Sequence, residues 1–266
     1  MPLSFYLSLC IASLMVVSVP GTTKAADCPS ATRLAMPDVE SSLSAQQMEW
    51  LRRRAQRITV TVWVDDRWSS GILIHRQDQA YTVITNQHVV EFGKRLQIVM
   101  SDGRRYQAVL QTHPGFQSDD LALLQFQSTE VAYPVATLGP ALSLATGTPV
   151  FAAGFPVKNE GGSQPKFHFT QGQVSLVSPK MLEGGYQVGY TNPVEKGMSG
   201  GPVLNRQGQV IAINGMHAHP LWGDPYIFTD GSKPNANLQD VMQRSSWAIP
   251  VERFLELAPE ALKVRL

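Results

Sequence analysis

The sequence predicts an all-β protein made of two antiparallel β-barrels, with a short helix at each end. Three observations carry this expectation. From Ile58, apolar residues alternate with polar or aromatic ones at period two (Ile58, Val60, Val62, Val64 against Thr59, Thr61, Trp63), the pattern of a strand. The 21 glycines and 18 prolines punctuate the chain as short strands and turns require. The strand-like segments fall into two series, about 58–135 and 148–250, and a set of twisted strands this large curls or splits in two.

The segment 1–25 is expected to be a secretory signal peptide. Leu3 to Val19 is apolar and uncharged, Pro20 ends the run, and Thr23 and Ala25 fit a cleavage site after Ala25. The run is short for a membrane span, so no integral span is expected in the mature chain. Export would make the protein secreted or periplasmic. Cys10 would leave with the signal, and Cys28 alone cannot form an internal disulfide.

Residues 26–57 read as a polar leader followed by a helix. Ser44 and Gln47 form a capping box, and Met48, Leu51, Ala55 and Ile58 recur at helical spacing. Arg52, Arg53, Arg54 and Arg57 read as a solvated helix face. The remainder, 58–266, reads as one domain. Its first strand candidates are "SGILIHR", "AYTVITN", "RLQIVMS", "RYQAVLQTH" and "LALLQFQ". After a link at 128–147 come "TPVFAAGFP", "KFHFTQGQVSLVS", "YQVGYTN", "GPVLNRQGQVIAINGM" and "SWAIP". Val251, Phe254, Leu255 and Leu257 then mark a terminal helix, with Pro250 suited to its first position.

With 43% hydrophobic residues the chain can fill a core, and a net charge of +1 gives no electrostatic argument for binding nucleic acid or a membrane surface. Chemistry is concentrated instead around Ser199, in "EKGMSGGPVLN". The match to G-x-S-x-G raises the nucleophile elbow of an α/β-hydrolase esterase, which needs a helix after the serine. Here Gly200, Gly201 and Pro202 follow, and then more strand pattern. The other reading is a serine served by a neighbouring base and by amides aimed at an oxyanion. Glycine at 197 lets the amides of Gly197 and Ser199 turn towards one point. Gly200 and Gly201 are expected to keep side chains out of the substrate's path.

Among the six histidines, His88 stands directly after a strand candidate. Asp119 and Asp120 stand at the mouth of an apolar strand. His217 and His219 could share a strand face as metal ligands, but no third ligand has sensible spacing, so neither metal nor cofactor is expected.

Taken together, "TNQHVV", "DDLALL" and "GMSGGPVL", in that order, resemble the trypsin-like serine peptidases of the chymotrypsin fold. "SSGILI", "AAGFP", "TQGQVS" and "AIPVERF" are similar to the bacterial HtrA-type branch, and the resemblance spans about 55–256. It implies His88 as general base, Asp120 as its orienting partner and Ser199 as nucleophile. Gly197 and Ser199 would supply the oxyanion amides. Ile213, Asn214 and Gly215 would pair with a peptide or protein substrate by β-addition. No PDZ domain follows in the sequence, so regulation of that kind is not expected.

The chain departs from the family in two places. Met198 stands where Asp or Asn is usual, which removes the trypsin-type activation pair and requires other contacts to hold the oxyanion turn. Pro193 stands where a trypsin pocket has Asp, so cleavage after Lys or Arg is not supported, and Glu195 and Lys196 are expected at the cleft rim. The expected activity is that of a serine endopeptidase. The competing class is an inactive binding protein on a protease fold.

Overall fold

In a computed structural model the described residues are 43–112, 114–116, 118–157, 164–218 and 225–263. The expected signal peptide, the leader up to residue 42 and Cys28 lie outside them. Helix α1 (Ala45–Ile58) opens on the capping box: Gln47 N–H donates to Ser44 Oγ at 3.2 Å, and Ser44 N–H donates to Gln47 Oε1 at 2.9 Å. Its Leu51, Ala55 and Ile58 are buried. The arginine face is not uniform. Arg53 pairs with Glu49, whereas Arg54 reaches across to donate to Gly208 O at 2.7 Å and Thr137 Oγ1 at 2.8 Å. Arg54 therefore pins the helix to the body rather than only solvating it.

The first strand series gives β1 (Thr59–Val64), β2 (Arg67–Gln77), β3 (Ala80–Thr85), β4 (Leu96–Val99), β5 (Arg105–Gln107), β6 (Val109–Gln111) and β7 (Ala122–Gln127). The one-turn helix α2 (Gln87–Val90) interrupts it after β3. All pairings are antiparallel, in the order β5-β4-β1-β2-β3-β7-β6. The two outermost strands are joined by Ala108 alone, so the ends of the sheet meet in one chain segment and the sheet curls into a barrel. "RYQAVLQTH" is accordingly split, because a strand that serves both edges must bend; Ala108 N–H donates to Leu96 O at 2.9 Å and carries the β4–β5 pairing up to the bend.

The second series gives β8 (Pro149–Gly154), β9 (His168–Val177), β10 (Val188–Tyr190), β11 (Pro202–Leu204), β12 (Val210–Met216) and β13 (Ser246–Pro250), a closed antiparallel barrel. Helix α3 (Ala236–Gln243) precedes β13. It was not expected: in eight residues the apolar repeat is too short to stand out, although Asn235 caps it by accepting from Leu238 N–H at 3.0 Å. Helix α4 (Val251–Leu257) follows, with Pro250 as its cap rather than its first residue. No described helix is long and apolar enough to cross a membrane.

The core has three parts. Val60, Val62, Leu73, Val83 and Leu124 fill the first barrel. Val150, Val174, Val203 and Ile211 fill the second. The third part lies between the barrels, where Ile72, Ile84 and Leu123 meet Phe151, Ile213 and Trp247, sealed by Leu51 of α1 and Phe254 of α4. Adjacent residues such as Ile72 and Leu73 thus point into different cores, each stabilising by roughly 2 kcal/mol when fully buried. That is why these strands read as apolar runs rather than clean alternation.

Candidate active site

The end of β3 places the first group. Asn86 Nδ2 donates to Asp120 O at 2.8 Å, and α2 then turns His88 over the Asp120 carboxylate. His88 N–H donates to Asp120 Oδ1 at 2.9 Å, and His88 Nδ1 lies 2.6 Å from Oδ2. One carboxylate thus grips both the backbone and the ring of the histidine. The Tyr186 hydroxyl also donates to Oδ2. Burial opposes the charge on Asp120, but the bonds from His88 and Tyr186 outweigh it and hold its pKa below the usual carboxylate value. The Tyr186 phenol is pushed well above its usual value, first by burial and then by the Asp120 charge, so it stays a donor.

The neighbouring Asp119 does something else. It is 4% exposed and takes a bidentate pair from Arg253 of α4, Nε to Oδ1 at 2.9 Å and Nη2 to Oδ2 at 2.8 Å. Successive residues at a strand mouth face opposite ways, so one acid meets α4 and the other meets His88.

The Ser199 turn is held by its carbonyls. Lys196 O accepts from Val157 N–H at 2.7 Å, and Met198 O accepts from Asn214 Nδ2 at 2.9 Å and Gly201 N–H at 3.0 Å. A trans peptide points its C=O and N–H in opposite directions. Anchoring those two carbonyls therefore orients the N–H groups of Gly197 and Ser199, which have no hydrogen-bond partner among the described residues. Between them, Gly197 O accepts from Ser70 Oγ at 2.8 Å, and Ser199 O accepts from Ser70 N–H at 3.0 Å and Ser69 Oγ at 2.9 Å. Ser70 Oγ also accepts from Phe155 N–H at 2.9 Å. These are the contacts that Met198 called for. Its side chain is fully buried against Gly154, and serines of the first barrel stabilise the turn of the second.

Two glycines here are obligatory for different reasons. Gly197 has φ +94°, a conformation that side chains disfavour. Gly200, at φ +81°, packs so closely on Ser70 O and Thr85 Oγ1 of the first barrel that no Cβ fits. Gly201 is likewise pressed on Ala153 O. Gly200 and Gly201 serve close approach of backbone to backbone, not clearance for a substrate.

Ser199 Oγ donates to Gly215 O at 3.2 Å; no hydrogen bond joins it to His88. The two residues share a cleft of about 150 Å³ whose walls include Val64, Arg67, Trp68, Val89 and Lys196. Lys196 is thus at the cleft, while Pro193 and Glu195 are exposed. Of the three residues expected to pair with substrate, Ile213 is flanked on both edges, opposite Pro202 of β11 and Ile249 of β13. Asn214 likewise exchanges bonds with Gly200 and Gly201 and lies opposite Ala248. Only Gly215 sits where β11 has ended, beside the Ser199 hydroxyl. Among the described residues no group of three or more His, Cys, Asp or Glu could hold a metal ion, and His219 lies outside them.

Sequence reading missed Ser69, Ser70 and Tyr186. The serines act through hydroxyls on backbone carbonyls more than a hundred residues away, and no local pattern marks such a bond. Tyr186 carries no motif at all.

Comparison with known proteins gives a consistent picture. The family model described as trypsin-like peptidase domain matches residues 69–213. The serine protease Do-like HtrA of Bacillus subtilis is 34% identical over 154 residues, 55% of this chain and 33% of that protein. The chain thus spans about a third of that relative's length. Among solved structures, a serine endoprotease from Yersinia pestis aligns with TM-score 0.54 and 22% identity, covering 82% of this chain and 66% of that one. An HtrA-type protease, AlgW, with a tripeptide aligns with TM-score 0.56 and 22% identity, covering 77% and 60%.

Proposed function

The chain belongs to the trypsin-like peptidase family, and from that premise we propose that it is a serine endopeptidase working through His88, Asp120 and Ser199. A peptide substrate adds as a strand beside Gly215, continuing the edge that β11 vacates. Its carbonyl oxygen enters between the Gly197 and Ser199 amides. Rotation about the Ser199 side chain takes Oγ from Gly215 O to His88 Nε2. Oγ attacks the carbonyl carbon while Nε2 takes its proton, and Asp120 stabilises the imidazolium at Nδ1. The C–N bond then breaks as His88 returns the proton to the leaving amine, and water hydrolyses the acyl-serine by the same route. The trypsin-like domain is 58–266, and the segment 1–25 exports it to the periplasm or medium.

The observation that carries this reading is the pair of amides, at Gly197 and Ser199, with no hydrogen-bond partner among the described residues, beside an ordered His–Asp pair. Both residues line the cleft beside His88, so their N–H groups are available to an acceptor that a substrate brings there. The competing reading is a binder on the same fold, favoured by the Ser199 hydroxyl resting on Gly215 rather than on His88.

A fluorophosphonate probe separates the two. The parent is expected to be labelled at Ser199 and to cleave casein, and Ser199→Ala to do neither while melting within about 2–4 °C of the parent, since one neutral hydrogen bond contributes about 1 kcal/mol. Casein cleavage at the parental rate by Ser199→Ala would sink the mechanism. A folded parent that neither labels nor cleaves would leave the binder.

A further inference from the structure

We infer that Tyr186 is a positioning residue for the His88–Asp120 pair, and that Gly215 is glycine so that the tyrosine hydroxyl can reach Asp120. The inference rests on the protease reading above and extends it to a fourth side chain. Tyr186 is 7% exposed and lies on the segment leading into β10, 66 residues from Asp120 in sequence. Its hydroxyl donates to Oδ2, the same oxygen that faces His88 Nδ1. The Asp120 carboxylate is thus held from two sides. Oδ1 takes the His88 backbone N–H, and Oδ2 is shared between an imidazole and a phenol.

The room for this phenol comes from β12. A Cβ at Gly215 would overlap the Tyr186 hydroxyl and stand 2.6 Å from its Cε1 and 2.8 Å from its Cζ. The Gly215 carbonyl meanwhile accepts from Ser199 Oγ at 3.2 Å. One glycine therefore contacts the nucleophile through its carbonyl and admits the aspartate's partner through its missing side chain. Gly184 and Gly185, both at positive φ, supply the turn that delivers Tyr186: Asp120 N–H donates to Gly184 O at 2.9 Å. The other charged groups near Asp120 are already paired, Asp119 with Arg253 of α4. Among the described residues, Tyr186 and His88 are the titratable groups that bond to the Asp120 carboxylate.

A hydroxyl that donates to Oδ2 withdraws charge from the oxygen that His88 feels. Without it the carboxylate is less compensated, the imidazole holds its proton more tightly, and its orientation loosens. Tyr186→Phe removes the oxygen and keeps the ring, and it is tested in the full chain by two readouts. Peptide hydrolysis should lose about tenfold in kcat with KM nearly unchanged, the scale of one charge-assisted hydrogen bond. The acid limb of kcat/KM should move to higher pH. Independently of activity, the pH titration of the His88 ring, followed by NMR of histidine-labelled protein, should move the same way.

A second variant guards against misfolding by approaching from the other side. In Tyr186→Ala with Gly215→Ser, the serine side chain projects into the vacated space, and it should restore part of the His88 titration shift relative to Tyr186→Ala alone. A His88 titration identical in parent and Tyr186→Phe would overturn the inference, whatever the rates. Failure of the protease reading would look different: a His88 shift with no fluorophosphonate labelling of the parent.

Discussion

The two barrels contribute different kinds of chemistry. The first supplies side chains: His88 and Asp120, an imidazole and a carboxylate joined through both the histidine's backbone and its ring. The second supplies backbone: a turn around Ser199 whose value lies in where two amides point. Each depends on the other for order. The second barrel sends Tyr186 to the aspartate of the first, and the first sends Ser69 and Ser70 to the turn of the second. The site is therefore not merely located between two barrels. It is assembled by cross-bonds, each half receiving hydrogen bonds from the other in addition to its own.

This division can be broken at the side-chain end first. Asp120→Asn keeps the shape but replaces an acceptor-only group with one that can donate, so it no longer enforces the Nδ1–H tautomer. Activity on a peptide substrate is expected to fall about 10⁴-fold with the fold retained. A loss of less than tenfold would show that the carboxylate is not orienting the ring.

The neighbouring acid should behave oppositely. Arg253→Ala leaves Asp119 buried without its bidentate partner, and chemical denaturation should show a loss of about 3 kcal/mol. Once the remaining folded fraction is corrected for, its activity per molecule should stay within a few-fold of the parent. A stable variant with abolished turnover would assign the two aspartates the wrong way round.

The cross-bonds are tested by Ser70→Ala, which removes the donor to Gly197 O and the acceptor of Phe155 N–H. If the first barrel holds the oxyanion turn, kcat should fall about 30-fold, less than complete removal of an oxyanion donor. Fluorophosphonate labelling should slow in parallel, and KM should change little. Unchanged labelling would mean that Val157 and Asn214 suffice to hold the turn.

The smallest effect concerns acid. Asp120 has a lowered pKa in the folded state, so the unfolded chain binds its proton more readily. Its contribution to stability is complete above the ordinary aspartate value of about 3.9 and is lost as pH falls through the lower folded value. Urea midpoints measured from about pH 5 down to about pH 2 should therefore drop more steeply for the parent than for Asp120→Asn, which has no proton to take up there. Parallel curves would mean that the bonds from His88 and Tyr186 do not stabilise the charge.

Much of this molecule was legible in its sequence because period-two burial and side-chain identity are local. Strands from Thr59 to Pro250 follow from apolar spacing and turn residues, and the Ser44–Gln47 capping box follows from two residues three apart. His88, Asp120 and Ser199 could be singled out because chemistry of this kind needs those residue types. The glycines around Ser199 were also visible, but one of their reasons was not. Gly200 is small because Ser70 and Thr85 of the other barrel press on it, and no spacing in the chain announces that approach. The interior alternation was blurred for a related cause, since faces that would meet solvent in one barrel meet the second barrel instead.

The tertiary structure decided what depends on distant partners. It separated Asp119 from Asp120 by giving one to Arg253 and the other to His88. It answered the question set by Met198 with a bond between Ser70 and Gly197, 127 residues apart. It also placed Ile213 and Asn214 inside the barrel and left Gly215 beside the Ser199 hydroxyl. The sequence by itself determined which groups can do chemistry, because that is covalent and local. Which of them are held ready, and by what, is a matter of hydrogen bonds closed over long loops, and those exist only once the chain has folded.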